Sequence, residues 1–394
     1  MVRQGAQGPV AVFSGGGTGG HLYPALALAD ALTSLRPDVT TFFIGARQGL
    51  EARILPERGS NHLLLPVRGF RRGRVLANLS VIWDLIRSVL LTGDLFTRLR
   101  PGVVVVTGGY AGGPAGLVAG IMGIPLALQE QNAEPGFTSK VLSRWARQVH
   151  LAFPEARQAL PARSRARAFL SGNPVREVTH LPAEEARARF GFAPDSRVVL
   201  VTGGSQGAKA LNRAVLDAVK GVESGELERP EDLCLLWATG PANIHEVSSS
   251  LQQMGEPAWV QAAGYVENMP EALDCAVAAV SRAGAMTTSE LMAWGVPAVL
   301  VPLPTAAADH QTRNAESLAR AGSALHLPEA ELTGKALWEA VGSLLTPPER
   351  LSKMREAAVK VGRPRATREI AENLESLLPR PALRTGPRRG EERA

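Results

Sequence analysis

One local pattern occurs twice in this chain and limits its fold more than any other feature. Residues 10–32, VAVFSGGGTGGHLYPALALADAL, and 198–219, VVLVTGGSQGAKALNRAVLDAV, each run from a short apolar stretch through a glycine-rich turn into an amphipathic stretch. An apolar, β-branched run of this length reads as a strand buried on both faces, and the segment after the glycines reads as a helix. Further runs of the first kind are TTFFIGA, GVVVVTG and IPLALQE in the first half, and LCLLWATG, AVAAVSRAG and PAVLVPL in the second. Helical patterns such as Pro24–Leu35 lie between them. Strands alternating with helices predict an α/β chain with doubly wound parallel sheets.

The two copies start about 190 residues apart, too far for a solenoid repeat and suited to two similar domains. The chain has 394 residues, more than one hydrophobic core normally holds. We expect a first domain over 8–173 and a second over 174–363. Pro174, in SGNPVREV, forces Asn173 away from helical geometry and marks a hinge there. The tail 379–394, PRPALRTGPRRGEERA, has no apolar periodicity and is expected to be disordered.

Charge and cysteine usage narrow the setting. The net charge of +6 points to an acidic partner such as phosphate, anionic lipid or nucleic acid, although a solvated basic surface accounts for it equally well. The two cysteines argue against a disulfide framework and for a reducing cytosol. The N-terminus lacks the apolar stretch of a signal peptide, and no run of about 18 apolar residues offers a membrane span.

A strand that ends in glycines and opens a helix leaves backbone N–H groups free and lets a large anion approach. The helix dipole adds roughly 0.3–1 kcal/mol for that anion. GGGTGG therefore suits a phosphate or diphosphate. Gly15, Gly17 and Gly20 fit G-x-G-x-x-G, but an NAD site would need an acidic residue after the second strand, where Arg47 stands instead. That arginine would suit NADP. Neither glycine loop supplies the Gly-Lys-Ser/Thr of a P-loop. Tight helix–strand packing with no ligand also accounts for such a loop. VTGGYAGGPAG, residues 106–116, and SRAGAMTTSE are further strand-to-helix turns, one in each half. Two anion-receptive helix starts per domain suggest two phosphorylated ligands in one crevice. No Asp-x-Asp pair occurs, which argues for chemistry without a metal.

GGGTGGHLYPALALA, GGYAGGPAG, EQN, GNPVR, GGSQGA, SRAGAMTTSELMAWGVPAVLVPLP and DHQTRNA appear together, in order. With them the chain resembles the MurG family of bacterial GlcNAc transferases, which convert lipid I to lipid II, over nearly its whole length from Pro9 to about Leu378. The resemblance implies a GT-B fold of two Rossmann-like domains around a cleft, with a last helix (364–378) returning to the first domain. It implies UDP-GlcNAc as donor, the lipid-linked muramoyl pentapeptide as acceptor, and no cofactor or metal. It also implies a peripheral position on the cytoplasmic face of the cell membrane, with an anionic membrane surface and other cell-wall synthesis proteins as partners and no nucleic acid.

Carried over by motif, Glu290 would hold the ribose hydroxyls, a task suited to a carboxylate that accepts two charge-assisted bonds. Ala285, Met286 and Thr287 would meet the donor diphosphate through backbone N–H groups, together with Ser205 and Arg176. Val266 would read the uracil edge, and Gln311 and Asn132 would hold the sugar hydroxyls. Thr18 and Gly19 belong to the same donor set. Gly15, Gly16, Gly17 and Gly20, with Gly108, Gly109, Tyr110, Gly112 and Gly113, would cradle the acceptor diphosphate. The reaction inverts the anomeric carbon and needs a base. His21 is the first candidate, because a helix N-terminus keeps its imidazole neutral. Glu130 is the second, or else it orients Asn132. The family has a histidine where this chain has Gln129. Arg71 and Arg72, followed by Leu79, Ile82, Trp83 and Ile86, would form a basic and apolar membrane contact.

Overall fold

The computed structural model describes residues 8–69, 75–204 and 206–379, and of residues 75–79 the backbone alone. Ser205, Arg71, Arg72, the side chain of Leu79 and all but the first residue of the 379–394 tail lie outside the described residues. Among the described residues thirteen strands form two sheets, parallel throughout. The first contains β1 (Val10–Gly15), β2 (Thr40–Ala46), β3 (His62–Leu65), β4 (Val103–Gly108), β5 (Leu126–Glu130), β6 (Gln148–Leu151) and β7 (Ala168–Leu170), in the order β3-β2-β1-β4-β5-β6-β7. The second contains β8 (Arg197–Thr202), β9 (Leu233–Ala238), β10 (Val260–Ala263), β11 (Ala276–Ser281), β12 (Ala298–Leu300) and β13 (Ala324–His326), in the order β10-β9-β8-β11-β12-β13.

The central strands are apolar on both faces because helices cover both faces. Val12, Ile44, Val104 and Val106 point into one core of the first sheet, and Ala11, Phe13, Phe43 and Val105 point into the other. Strand order reverses between β1 and β4, and again between β8 and β11. At such a reversal the following helices leave on opposite faces and open a crevice at the carboxyl ends of the strands. Each reversal is flanked by two of the four glycine-rich turns.

The helix after β1 starts at Gly19, five residues before the Pro24 expected from sequence, and runs to Leu35. Pro24 sits inside it and removes one interior N–H, the one that would have reached the carbonyl of Gly20. Near the other end of the chain, helix Ala366–Glu375 packs on Gly19–Leu35. Its Ile370 and Leu374 join the core that holds Ala11, Phe13 and Leu22. Gln148 of β6 ties this helix down, donating to the carbonyl of Asn373 (3.0 Å) and the hydroxyl of Ser376 (3.2 Å).

Candidate active site

A cleft of about 1690 Å³ opens where the carboxyl ends of both sheets meet. From the first sheet Thr18, Gly19, Gly20, His21, Gly108, Gly109, Tyr110, Glu130 and Asn132 line it. From the second sheet and the segment leading to it come Arg176, Val266, Ala285, Met286, Thr287, Glu290 and Gln311. Residues far apart in sequence thus share one space. Arg47 ends up exposed just past the end of β2, bonded to the carbonyl of Leu64, and is not among the residues lining the cleft.

The glycines of the first loop divide into two groups. Gly15 and Gly16 are buried, and a Cβ at either would strike Thr107 or Glu51. Gly17 (φ +91°) would strike the ring of Tyr110. The Gly17 amide is already taken, since it donates to both oxygens of Glu51 at 3.0 and 3.1 Å. Glu51 is fully buried and also accepts the amide of Ala46 at 2.7 Å. The curve at Gly15–Gly17 thus packs on the protein's own Glu51 side chain, which takes the Gly17 amide. Glu51 escaped the sequence reading because nothing in GLEARIL distinguishes it from a surface glutamate. Gly20 is different. It is exposed, and a Cβ there would meet only the Thr18 hydroxyl at 3.7 Å. The helix begins at Thr18 without a side-chain cap. Its first return bonds come from His21 and Leu22, so the Gly19 and Gly20 amides have no partner among the described residues.

The second loop packs closely against the first. Gly108 (φ +102°) and Gly109 (φ +74°) lie against the His21 ring, where a Cβ would come within 2.8 Å of Nδ1 and 3.1 Å of Cδ2. Gly112 brings its helix against Val106, and Gly113 faces open space outside the residues lining the cleft. Tyr110 is half-buried between the loops. Burial, and then the charge of Glu51, push its hydroxyl above the ordinary tyrosine range.

The two candidate bases differ in their commitments. Nδ1 of His21 faces the carbonyl of Thr107 (3.0 Å) and Oε1 of Gln131 (2.9 Å). Glu130 is 3% exposed and spends both oxygens on its own loop, accepting the amides of Asn132 (3.2 Å) and Gly136 (3.1 Å). That is a loop-holding carboxylate.

On the other wall, helix Ala285–Ala293 starts at Gly284, again without a side-chain cap. Its first return bond comes from Thr288, so the amides of Ala285, Met286 and Thr287 have no partner among the described residues. A Cβ at Gly284 would meet nothing within 4 Å. One turn further on, burial raises the carboxyl of Glu290 above its ordinary range, and Arg176 at 3.7 Å pulls it back. Gln311 offers its carbonyl to the amide of Leu303 (3.0 Å). The preceding residues Ala308 and Asp309 both adopt left-handed backbone (φ +53° and +54°), strain of the kind that gathers at binding sites. Val266 is buried beside the exposed Tyr265. Arg282, which the sequence reading passed over, also lines this wall. It is buried, paired with Glu329, and donates to the carbonyls of Val301 and Pro302. Among the described residues no three His, Cys, Asp or Glu side chains gather as a metal site.

A polar seam joins the two walls. Asn314 accepts the amide of Ala133 (2.9 Å) and donates to Asn132 (3.2 Å). Asn173 donates to Ser289 (2.9 Å) and to the carbonyls of Gln131 (3.1 Å) and Ala285 (3.3 Å). On the outside of the first unit, helix Val75–Leu99 exposes Ile82, Trp83, Ile86 and Leu90, with Trp83 68% exposed. Val81, Phe96 and the buried Ser88 and Thr92 turn inward. Arg68 folds back onto this helix through Asp84. Among the described residues no helix is long and apolar enough to cross a membrane.

Comparison with known proteins agrees with this architecture. Residues 11–151 match the glycosyltransferase family 28 N-terminal domain, and residues 198–372 match its C-terminal domain. The UDP-N-acetylglucosamine–N-acetylmuramyl-(pentapeptide) pyrophosphoryl-undecaprenol N-acetylglucosamine transferase of Salinibacter ruber is 40% identical over 373 residues, 94% of this chain and 98% of that protein. Its namesake in Desulfitobacterium hafniense is 39% identical over 364 residues, 91% and 96% of the two chains. The crystal structure of Acinetobacter baumannii MurG superposes with a TM-score of 0.74 at 29% identity, covering 93% of this chain and 99% of that one. A UDP-GlcNAc 2-epimerase from Neisseria meningitidis shares the fold alone, with a TM-score of 0.62 at 15% identity. Two parallel sheets around a shared cleft, with both halves of the family matched along the chain, make this protein a GT-B member of glycosyltransferase family 28, within the MurG family.

Proposed function

We propose that this chain moves GlcNAc from UDP-GlcNAc to the muramoyl 4-hydroxyl of undecaprenyl-diphospho-muramoyl pentapeptide, with inversion at the anomeric carbon. The observation that carries the reading is the pair of uncapped helix starts, at Gly19–Gly20 and Ala285–Thr287, lining one cleft with His21 beside the first. Each offers bare amides to a diphosphate. Segment 174–363 would hold the donor and segment 8–173, closed by the returning helix, the acceptor. Glu290 would bind the ribose hydroxyls, Val266 the uracil edge, and Gln311 and Asn132 the sugar.

In the reaction, Nε2 of His21 removes the proton from the 4-hydroxyl as the new C1–O bond forms. The electron pair of the breaking C1–O bond leaves with UDP, whose charge is met by the amides of Ala285–Thr287 and by Arg176. Glu130 holds the loop that carries Asn132. The exposed Ile82, Trp83, Ile86 and Leu90 would rest in an anionic bilayer surface where the lipid-linked acceptor lies, placing the protein peripherally on the cytoplasmic face.

The test is calorimetry with UDP-GlcNAc, paired with turnover of a soluble acceptor analogue. His21→Ala is expected to lower kcat by about 10²–10⁴-fold and to leave donor affinity unchanged. Normal turnover in that variant would remove His21 as the base. Tight NADPH binding with no UDP-GlcNAc binding would overturn the whole reading.

A further inference from the structure

A chain of three side-chain amides runs from the donor helix to the candidate base, and each link has a fixed direction. Asn173, 1% exposed, points its NH₂ at the carbonyls of Ala285 and Gln131 and at the Ser289 hydroxyl, so its Oδ1 faces the other way. That oxygen accepts from Nε2 of Gln129 at 2.9 Å. The carbonyl oxygen of Gln129 then meets the NH₂ of Gln131, which also donates to the main-chain carbonyls of Thr107 (2.6 Å) and Gln129 (3.1 Å). With three oxygens around it, this end of Gln131 is the nitrogen, and the end that faces His21 is an oxygen.

Nδ1 of His21 therefore meets two oxygens, Oε1 of Gln131 and the carbonyl of Thr107. Only a protonated Nδ1 satisfies that arrangement. The neutral ring then carries its lone pair on Nε2. We propose that Gln131 is a positioning residue for the transfer reaction, one that locks His21 as the Nδ1–H tautomer and steadies the imidazolium formed when Nε2 takes the acceptor proton. This inference rests on the reading of His21 as the base.

The part is analogous to the third member of a hydrolase triad, with an amide where such triads place a carboxylate. The difference is functional. A carboxylate at this spot would favour the charged imidazolium and remove the free base near neutrality, whereas a neutral acceptor orients the ring without doing so. Among the described residues the contacts to the ring are with uncharged groups, namely Thr107, Gln131 and the backbone of Gly108 and Gly109. Glu51 lies behind Gly16 and turns to the Gly17 and Ala46 amides, and Glu130 turns to Asn132 and Gly136. The chain also begins at Ala285 and Ser289, on the helix proposed to grip the donor, so the base is held in register with the donor site.

Two measurements test this. In wild-type protein with labelled histidine, ¹⁵N shifts of His21 above its titration should show a protonated Nδ1 and a bare Nε2. A protonated Nε2 would overturn the inference without any variant. In Gln131→Glu, the acid limb of the kcat/KM profile should move up by about 1–3 pH units, with turnover regained on the alkaline side and UDP-GlcNAc affinity unchanged. Gln131→Met should lower kcat by about tenfold or more with the donor Kd unchanged. An unmoved acid limb in Gln131→Glu, with His21→Ala inactive, overturns the role of Gln131 alone. A fully active His21→Ala overturns the base reading and this inference with it.

Discussion

The His150 side chain sets an acid limit on stability that can be worked out from its surroundings. It sits in the middle of β6, 1% exposed and stacked on Phe169 at 5.6 Å. Oε1 of Gln148 accepts from Nε2 at 3.2 Å, because the Gln148 NH₂ is used on Asn373 and Ser376. Ser171 then donates to Nδ1 at 2.9 Å. Both nitrogens are satisfied in the neutral ring, and neither contact supplies a negative charge. Burial lowers the pKa from 6.5 to about 4. Between those values the unfolded chain binds a proton that the native chain refuses. Stability is therefore fully present above the unfolded value and drains away as pH falls toward the folded one. At roughly 1.4 kcal/mol per unit, the loss is about 2 kcal/mol between about pH 7 and pH 5, and about 3 kcal/mol once pH falls below both values. Urea unfolding followed by circular dichroism across this range would measure it, with His150→Gln as a reference that keeps a donor and an acceptor but does not titrate. The wild-type curve should fall more steeply than the reference by about that amount. Parallel curves would refute the reasoning.

Four further outcomes follow from the site and its approaches. Glu51→Ala strips the buried Gly17 and Ala46 amides of their acceptor and should destabilise the fold by about 2–5 kcal/mol, read from the unfolding midpoint. Glu290→Ala should weaken UDP-GlcNAc binding about 10–100-fold by calorimetry. Because burial raises the Glu290 carboxyl, wild-type affinity should begin to drop, as pH falls, before an ordinary carboxylate would protonate. Trp83→Glu should abolish cosedimentation with phosphatidylglycerol vesicles and leave turnover of a water-soluble acceptor unchanged.

What the sequence disclosed follows from how much of each feature is local. The central strands β1, β4, β5, β8 and β11 are apolar on both faces, and composition alone marks them. Five strands were not read at all: His62–Leu65, Gln148–Leu151, Ala168–Leu170, Val260–Ala263 and Ala324–His326. Each has three or four residues, too few for any period to show. The glycine turns located the walls of the cleft but not the duty of each glycine. Gly17 needs its freedom because Tyr110 and Glu51 press on it, and Glu51 arrives from 34 residues away. Gln131 and Asn173 both stood inside quoted motifs. Their connection becomes visible only when β4 and β5 lie side by side and the seam to helix Ala285–Ala293 closes.

The two walls of the cleft look alike in sequence and differ in charge. Behind the wall proposed to hold the acceptor lies the buried Glu51 carboxylate, engaged with the first glycine loop. A second anion in that curve would be repelled at short range through a medium of low dielectric. On the proposed reading the acceptor diphosphate would then meet the outer amide of Gly20, beside His21. The wall proposed to hold the donor has an uncapped helix start at Ala285–Thr287 and the guanidinium of Arg176, with Glu290, the proposed ribose contact, a turn further along. On the proposed reading, a guanidinium and three bare amides face the diphosphate that must leave with the bond's electrons, and bare amides alone face the one that only needs to be held. A catalyst gains rate from contacts that strengthen as charge develops, and on the proposed reading those contacts lie on the leaving-group side.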